Sequence, residues 1–227
     1  MKYDYYYNKL PGEEPWRNNL IYTSLMSTDK KVFVQWYFND EVYHRGQNQV
    51  VLPELMQEKW EREIKYAQLM NGAYPDLVPK ILDIDHKNRK LYLAVDGDDF
   101  WQRSHELNSY YDVLPDWDTQ MINIINAHKS LGLHKYSMHP SSYFVVEGRL
   151  KSINYFFTYH KTDPEVSIQE VESHIYSTRQ DEMRKHIESL GIQWDKQQPF
   201  PLLDKLCWES FRKNYPDEFI DRVLCLK

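Results

Sequence analysis

The side chains best equipped for chemistry in this chain fall into a few short phrases. Asp96, Asp98 and Asp99 crowd the stretch LAVDGDDFW. Closely spaced carboxylates suit a hard divalent cation, but they suit a solvated turn better, and the turn is the favoured reading. The phrase HKYSMHPSSYF sets His134 and His139 around Tyr136, Ser137 and Ser142. Imidazoles can serve acid–base chemistry or hold zinc, yet no Cys/His spacing nearby fits a structural zinc site. Nothing marks Tyr136 as a nucleophile among the 18 tyrosines. Glu63, within EKWEREIK, is compatible both with a solvated helix glutamate and with a functional acid. Cys207 and Cys225 lack CxxC spacing and read as reduced thiols in C-terminal helices, in a cytosol-like compartment.

Composition narrows the function classes. The chain has 227 residues, enough for one large domain or two closely packed lobes, with 41% hydrophobic and 15% aromatic residues. That is a globular composition, although charged and amide residues bring the mean hydropathy to −0.74. No apolar run approaches the roughly 20 residues that span a bilayer, and the opening MKYDYYYNKL lacks the apolar centre of a signal peptide. The expectation is a soluble, cytoplasmic protein without a membrane partner. Net charge is −6, with lysines and arginines scattered, so general nucleic-acid binding is disfavoured.

The elements that must position these groups follow from periodicity. Tyr3 to Tyr7 reads as a short strand or an adhesive arm. Residues 19–26 and 31–38 are β-branched and aromatic, separated by the polar turn Ser27–Lys30, which reads as a hairpin. The stretch 53–70 places Leu55, Met56, Trp60, Ile64, Ala67 and Met70 at helical spacing, with Pro53 in its first turn and Gly72 as its stop. Its Trp60/Ile64/Ala67 stripe should pack on the sheet. Strands fit 80–85 and 90–96 around the turn His86–Arg89. A helix fits 116–131, carrying Met121, Ile124, Ile125, His128 and Leu131 on one face and ending at Gly132. Strands at Tyr143–Val146 and Leu150–Phe157 flank a tight turn at Glu147–Gly148. Farther on, Ser167–Glu170 forms a capping box, Asp163-Pro164 reads as a turn before it, and helices fit 178–190 and 202–224, the second broken near Pro216. Strands with one helix thus precede helices with one hairpin, which predicts an α+β fold of two unequal lobes. Residues 1–97 form a five-stranded antiparallel lobe with helix 53–70. Residues 98–227 form a mainly helical lobe, and the two meet near Gly97.

The order of these elements, with several local phrases, resembles the protein-kinase and aminoglycoside-phosphotransferase superfamily. KKVFVQWYF resembles the strand carrying that family's phosphate-binding lysine, and REIKYAQLM the helix whose glutamate pairs with it. LYLAVDGDDFW resembles the strand and hinge between lobes. HKYSMHPSSYFVVEGRLKSINYFF resembles the catalytic loop, its hairpin and the metal-binding turn. The resemblance covers roughly residues 15–160. Phosphoryl transfer there needs a lysine on the phosphates, metal-binding side chains and an aspartate to orient the attacking hydroxyl. The resemblance puts Gln35 at the lysine and Glu63 at the helix glutamate. The catalytic aspartate falls on Ser137 or, in the register set by His134, on Tyr136. The metal ligands fall on Ser142 and Asn154. In that frame His134 braces the loop. The phosphate-covering loop reads LPGEEPWRNN, with a single glycine and with Glu13 and Glu14, which would repel phosphate.

Neutral amides and hydroxyls are poor replacements for carboxylates around a divalent cation. The resemblance therefore implies a degenerate, pseudokinase-like member: a binding or scaffolding protein with a protein partner and with no metal site. ATP with magnesium is not expected to bind; weak, metal-independent nucleotide binding in a cleft bordered by Gln35, Glu63, Asp96 and Asn154 is compatible with it. Trp101, Tyr110 and Tyr111 supply a candidate contact surface. The alternative is a divergent ATP-dependent phosphotransferase that has moved its metal ligands to Asp96, Asp98 or Asp99. A third possibility is a cleft that binds a small molecule without chemistry.

Overall fold

A computed structural model of the chain describes residues 2–6, 22–37, 42–44, 47–49, 53–135, 138–155, 158–160 and 214–224. In chain order the elements are β1 (Tyr3–Tyr6), β2 (Tyr22–Ser27), β3 (Val32–Tyr37), β4 (Val42–His44), β5 (Gln47–Gln49), α1 (Pro53–Ala73), β6 (Ile81–Asp85), β7 (Lys90–Ala94) and β8 (Gly97–Asp99). There follow α2 (Phe100–Leu107), α3 (Tyr110–Val113), α4 (Trp117–Ser130), β9 (Leu133–Lys135), β10 (Tyr143–Val146), β11 (Arg149–Ser152), β12 (Thr158–His160) and α5 (Asp217–Leu224). The fold is α+β. Its main sheet is antiparallel and five-stranded, in the order β1-β2-β3-β7-β6. The segments expected at 19–38 and 80–96 therefore share one sheet, and the tyrosine-rich opening supplies its edge. Smaller sheets pair β11-β10-β8, β12-β9 and β4-β5.

Most element boundaries follow local chemistry. β10 and β11 are joined by Glu147 and Gly148, both at positive φ, as a two-residue turn matching strand twist requires. α4 stops before Gly132, which is left-handed at φ 69°. α1, in contrast, runs through Gly72 to Ala73. Its end is set by Pro75, because a residue before proline is pushed out of the helical region and Tyr74 takes φ −139°. The strand expected at 150–157 ends at Ser152, since Asn154 adopts a left-handed φ of 65° that no strand can carry. In the last third, α5 begins directly after Pro216. The capping box at Ser167, the Asp163-Pro164 turn and the helix over 178–190 lie outside the described residues. Seven elements among the described residues lie where the periodicity predicts none: β4, β5, β8, β9 and β12 have 3 residues each, α3 has 4 and α2 has 8.

Two apolar clusters hold the chain together. One packs Trp60, Ile64, Ala67 and Met70 of α1 against Phe33, Tyr37, Leu91 and Leu93 of the sheet, and also draws in Leu133, Phe144, Ile153 and Tyr155. The other is built around Trp117, fully enclosed by Phe100, Met121, Tyr143, Tyr215 and Phe219. Its rings lie 4.6 Å from Phe219, 5.0 Å from Tyr110 and 5.8 Å from Tyr215. Among the described residues no helix is long and apolar enough to cross a membrane.

The two clusters meet at β10, whose Phe144 belongs to the first and Tyr143 to the second, and Gly97 of β8 lies against that strand. A Cβ built on Gly97 would meet the Val145 carbonyl oxygen at 2.0 Å, whereas one on Gly72 would meet nothing within 4 Å. Gly97→Ala should therefore cost about 2 kcal/mol or more, because the obstacle is backbone. Gly72→Ala should gain about 0.5–1 kcal/mol from helix propensity. Urea denaturation of the two variants separates these outcomes, and a neutral Gly97→Ala would contradict the β8–β10 register.

Candidate functional site

Alternate residues of a strand point to one face, and in β3 that face carries Phe33, Gln35 and Tyr37. All are essentially buried. Each meets a different partner. Phe33 packs on Phe144 of β10, with centroids 5.5 Å apart. Gln35 donates from Nε2 to Asn154 Oδ1 at 3.5 Å. Tyr37 donates its hydroxyl to Glu63 Oε2 at 2.8 Å. That same carboxylate oxygen accepts the Tyr155 main-chain N–H at 2.8 Å. Three residues far apart in sequence, Gln35, Glu63 and Asn154, are thus gathered on the turn Ile153–Tyr155.

Glu63 is 0% exposed, which rules out a solvated helix glutamate. It lies inside the apolar stripe of α1, next to Ile64. The turn it holds is gripped from the other side by Lys135 of β9, itself buried. Lys135 Nζ donates to the Ile153 carbonyl at 2.8 Å and to the Asn154 carbonyl, and it sits 5.1 Å from the centre of the Tyr155 ring. Burial pushes the Glu63 carboxyl above its ordinary range, while the Tyr37 hydroxyl, the Lys135 charge and the Tyr155 amide pull it back. Below the same turn, His128 of α4 uses Nδ1 on the Ile124 carbonyl at 2.7 Å, with its ring 5.9 Å from that of Tyr155. Burial, then the Lys135 charge, holds His128 down to about 4. The arrangement is a polar clamp: an amide, a carboxylate and an ammonium each take one part of a three-residue turn.

The acidic phrase at β8 is dispersed. Asp96 is exposed and pairs with Lys31 at 3.2 Å. Asp98 is exposed, on the rim of a cleft of about 320 Å³ between the β2–β3 end of the sheet and α2. Asp99 is buried; its Oδ1 accepts the Gln102 N–H at 2.7 Å as the N-cap of α2, and its Oδ2 accepts the Tyr6 hydroxyl. Burial raises Asp99 to about 6. The three carboxylates thus occupy three environments, and Asp96, the cleft candidate among them, is committed to a surface ion pair. Among the described residues no three His, Cys, Asp or Glu side chains are grouped to hold a metal.

The catalytic-loop phrase is only partly described. Tyr136 and Ser137 lie outside the described residues, as does the loop LPGEEPWRNN, and for His134 only the backbone is described, in β9. Ser142 is buried, and its carbonyl accepts the Ile153 N–H at 2.9 Å, tying this loop to the clamped turn. His139 accepts the Ser141 N–H and stacks edge-on to Trp101 at 4.8 Å. Burial and His105 hold it down to about 4. Of the aromatic surface expected at Trp101, Tyr110 and Tyr111, only Tyr111 is well exposed, at 52%. Tyr110 belongs to the Trp117 cluster, and Trp101 is half-buried. Sequence reasoning missed Tyr37, although strand alternation from Gln35 points to it. It also missed Tyr6, Tyr155 and Lys135; a lysine carries no sequence signal of burial.

No family model matches the chain, and no curated protein matches it. Among solved structures the chain is similar to WbdD, determined as a co-crystal structure with the kinase inhibitor LY294002. The TM-score is 0.46 and the identity 12%; the match covers 91% of this chain and 49% of that one, so the chain spans about half that protein's length.

The clamp can be tested by a double-mutant cycle. Lys135→Met leaves the enclosed Glu63 without its cation and should cost about 3–5 kcal/mol. Adding Glu63→Gln should then cost far less than it does alone, with a coupling of about 1 kcal/mol or more; additive losses would show that the two groups do not act together.

The histidine gives a pH test. An unfolded imidazole takes its proton near 6.5, while folded His128 resists until about 4, so its contribution to stability is lost as pH falls through that window. Asp99, raised to about 6, and Glu63, also raised, act oppositely and gain stability on acidification over most of the same window. Relative to the parent, His128→Gln should gain about 2–3 kcal/mol between pH 7 and pH 4. A constant difference across that range in urea titrations would refute this burial effect.

Proposed function

We propose that the chain is a kinase-like protein of two lobes, meeting near Gly97, that does not transfer phosphoryl groups and works as a binding or scaffolding module for a protein partner in the cytoplasm. The observation that carries this reading is the polar clamp. By resemblance, Gln35 stands where a lysine would hold phosphate, Glu63 where a glutamate would pair with that lysine, and Asn154 where an aspartate would hold metal. In this chain the Gln35 amide contacts Asn154, while Glu63 takes the Tyr37 hydroxyl and the Tyr155 amide. Their polar capacity is directed inward.

Charge supports the same view. Phosphoryl transfer relies on neutralising the transferring group and positioning the attacking hydroxyl, and removing one such donor typically costs about a hundredfold or more. The resemblance leaves an amide, hydroxyls and a second amide at the positions concerned. The clamp holds the turn by internal contacts, so its geometry needs no nucleotide. A rigid turn and a closed interior suit a protein that presents a surface.

The test is a thermal-shift series with ATP and ADP, with and without magnesium or manganese. Binding at 100 times the dissociation constant would add about 2.7 kcal/mol of apparent stability; the expectation is a weak shift or none, unchanged by metal. Turnover should be absent with protein, aminoglycoside or small-alcohol acceptors. Metal-dependent ATP turnover that Glu63→Gln abolishes would overturn the proposal in favour of a divergent phosphotransferase.

A further inference from the structure

An antiparallel sheet packed on one side ordinarily turns polar residues to the other. The main sheet does not. With Phe33, Gln35 and Tyr37 of β3 facing the interior, Val32, Val34 and Trp36 occupy the outer face. Strand register extends that face sideways. Val34 stands opposite Leu25 of β2 and Tyr92 of β7, and Tyr92 stands opposite Asp83 of β6. Tyr3 of β1 joins them, its ring 6.1 Å from that of Tyr92 and edge-on at 64°. Val34 is 0% exposed, whereas Tyr3, Leu25, Trp36 and Tyr92 are half-buried and Asp83 is exposed.

This face already holds one cation on a ring. Lys90 Nζ stands 4.6 Å from the centre of the ring of Trp36, its cross-strand neighbour. Asp85, opposite Lys90, is committed to Asn88, accepting its main-chain N–H at 2.9 Å and its side-chain amide at 2.7 Å. Two residues along the same strands the pattern recurs without a cation: Tyr92 lies against Tyr3, with Asp83 opposite. Asp83 makes no hydrogen bond or ion pair among the described residues. Burial, then Tyr3, Asp85 and Asp83, raises the Tyr92 hydroxyl above its ordinary range, in keeping with carboxylates beside that ring.

Charge selects the occupant. The chain carries a net charge of −6, so a second copy would oppose its own sign. Strand addition at the β6 edge is opposed by the register shift between Ile81 and Asp83 and by the carboxylates on that strand. We propose that the outer face of the main sheet, at Tyr3, Tyr92 and Asp83, docks a basic protein segment through an arginine that stacks on a tyrosine ring and pairs with the Asp83 carboxylate. A guanidinium suits this corner better than an ammonium, because it is planar, stacks on aromatic faces and meets a carboxylate with two parallel donors. Leu25 and Trp36 flank the corner with apolar surface for the rest of the segment. The inference names the partner class for the binding role proposed above and rests on that reading.

The test uses the 227-residue chain with two labelled probes, hexa-arginine and hexa-lysine, titrated by fluorescence anisotropy. Hexa-arginine should bind at least about threefold more tightly than hexa-lysine. Asp83→Asn should weaken hexa-arginine binding by about threefold or more, whereas Glu147→Gln, the same loss of charge at an exposed turn elsewhere, should leave it unchanged. Hydroxyl-radical footprinting needs no variant: hexa-arginine should protect Tyr3 and Tyr92 from oxidation but not Tyr111, which is 52% exposed on α3. Equal binding of the two probes, equal losses in the two variants, or protection of Tyr111 as strong as that of Tyr92 would each reduce the effect to net charge and overturn the proposal. Absence of binding would overturn it too, leaving a scaffold with a different contact surface. ATP turnover would overturn the scaffold reading without altering any of these outcomes.

Discussion

Glu63 is a carboxylate with no access to water, and a charge in that position persists only when other groups supply what water would have given. Here Oε2 is supplied by partners from the whole length of the fold, while Oε1 is buried without a hydrogen-bond partner among the described residues. Tyr37 lies 26 residues before Glu63 and Tyr155 92 residues after it, with Lys135 close enough to lower its proton affinity. Meeting these partners fixes how α1 is rotated against the sheet more narrowly than its apolar stripe could. Trp60, Ile64 and Ala67 would tolerate some sliding on an apolar surface. The carboxylate between them would not, because its acceptor directions are fixed.

The register of β3 is the second half of the same constraint. Its inner face spends one residue on each of three jobs, with Phe33 against Phe144, Gln35 against Asn154 and Tyr37 against Glu63. A slip by one residue would move all three to the opposite face of the sheet and present Val32, Val34 and Trp36 in their place. Pairing with β2 on one side and β7 on the other prevents this. The sheet's hydrogen bonds thus determine which chemistry faces the interior, and the clamped turn depends on a strand more than 100 residues away.

Aromatic rings carry much of the remaining packing, in keeping with an aromatic content of 15%. Around Trp117 the rings of Phe100, Tyr110, Tyr215 and Phe219 bring together α2, α3, α4 and the approach to α5. Rings of this size bury large areas with few rotatable bonds, so a modest number of helices can enclose a core. Several of these tyrosines retain a polar role. Tyr110 donates to the Asn214 carbonyl at 2.6 Å and Tyr215 to the Met138 carbonyl at 2.8 Å.

The sequence by itself determined what depends on short-range periodicity. The hairpin of β2 and β3, the helix from Pro53, the strands around His86–Arg89, the helix ending before Gly132 and the turn at Glu147–Gly148 all follow from neighbours within a few residues. It also placed Gln35, Glu63 and Asn154 as the positions worth watching, through a resemblance carried by a few local phrases. Only the tertiary structure decided what those residues meet. That Lys135 is buried against two carbonyls, that Tyr6 reaches Asp99, and that Asp96, Asp98 and Asp99 part into three environments are consequences of contacts between distant segments. A lysine or a tyrosine reads alike in sequence whether it faces solvent or a carboxylate. The difference is made by desolvation and by partners supplied from elsewhere in the chain, and local patterning does not encode either.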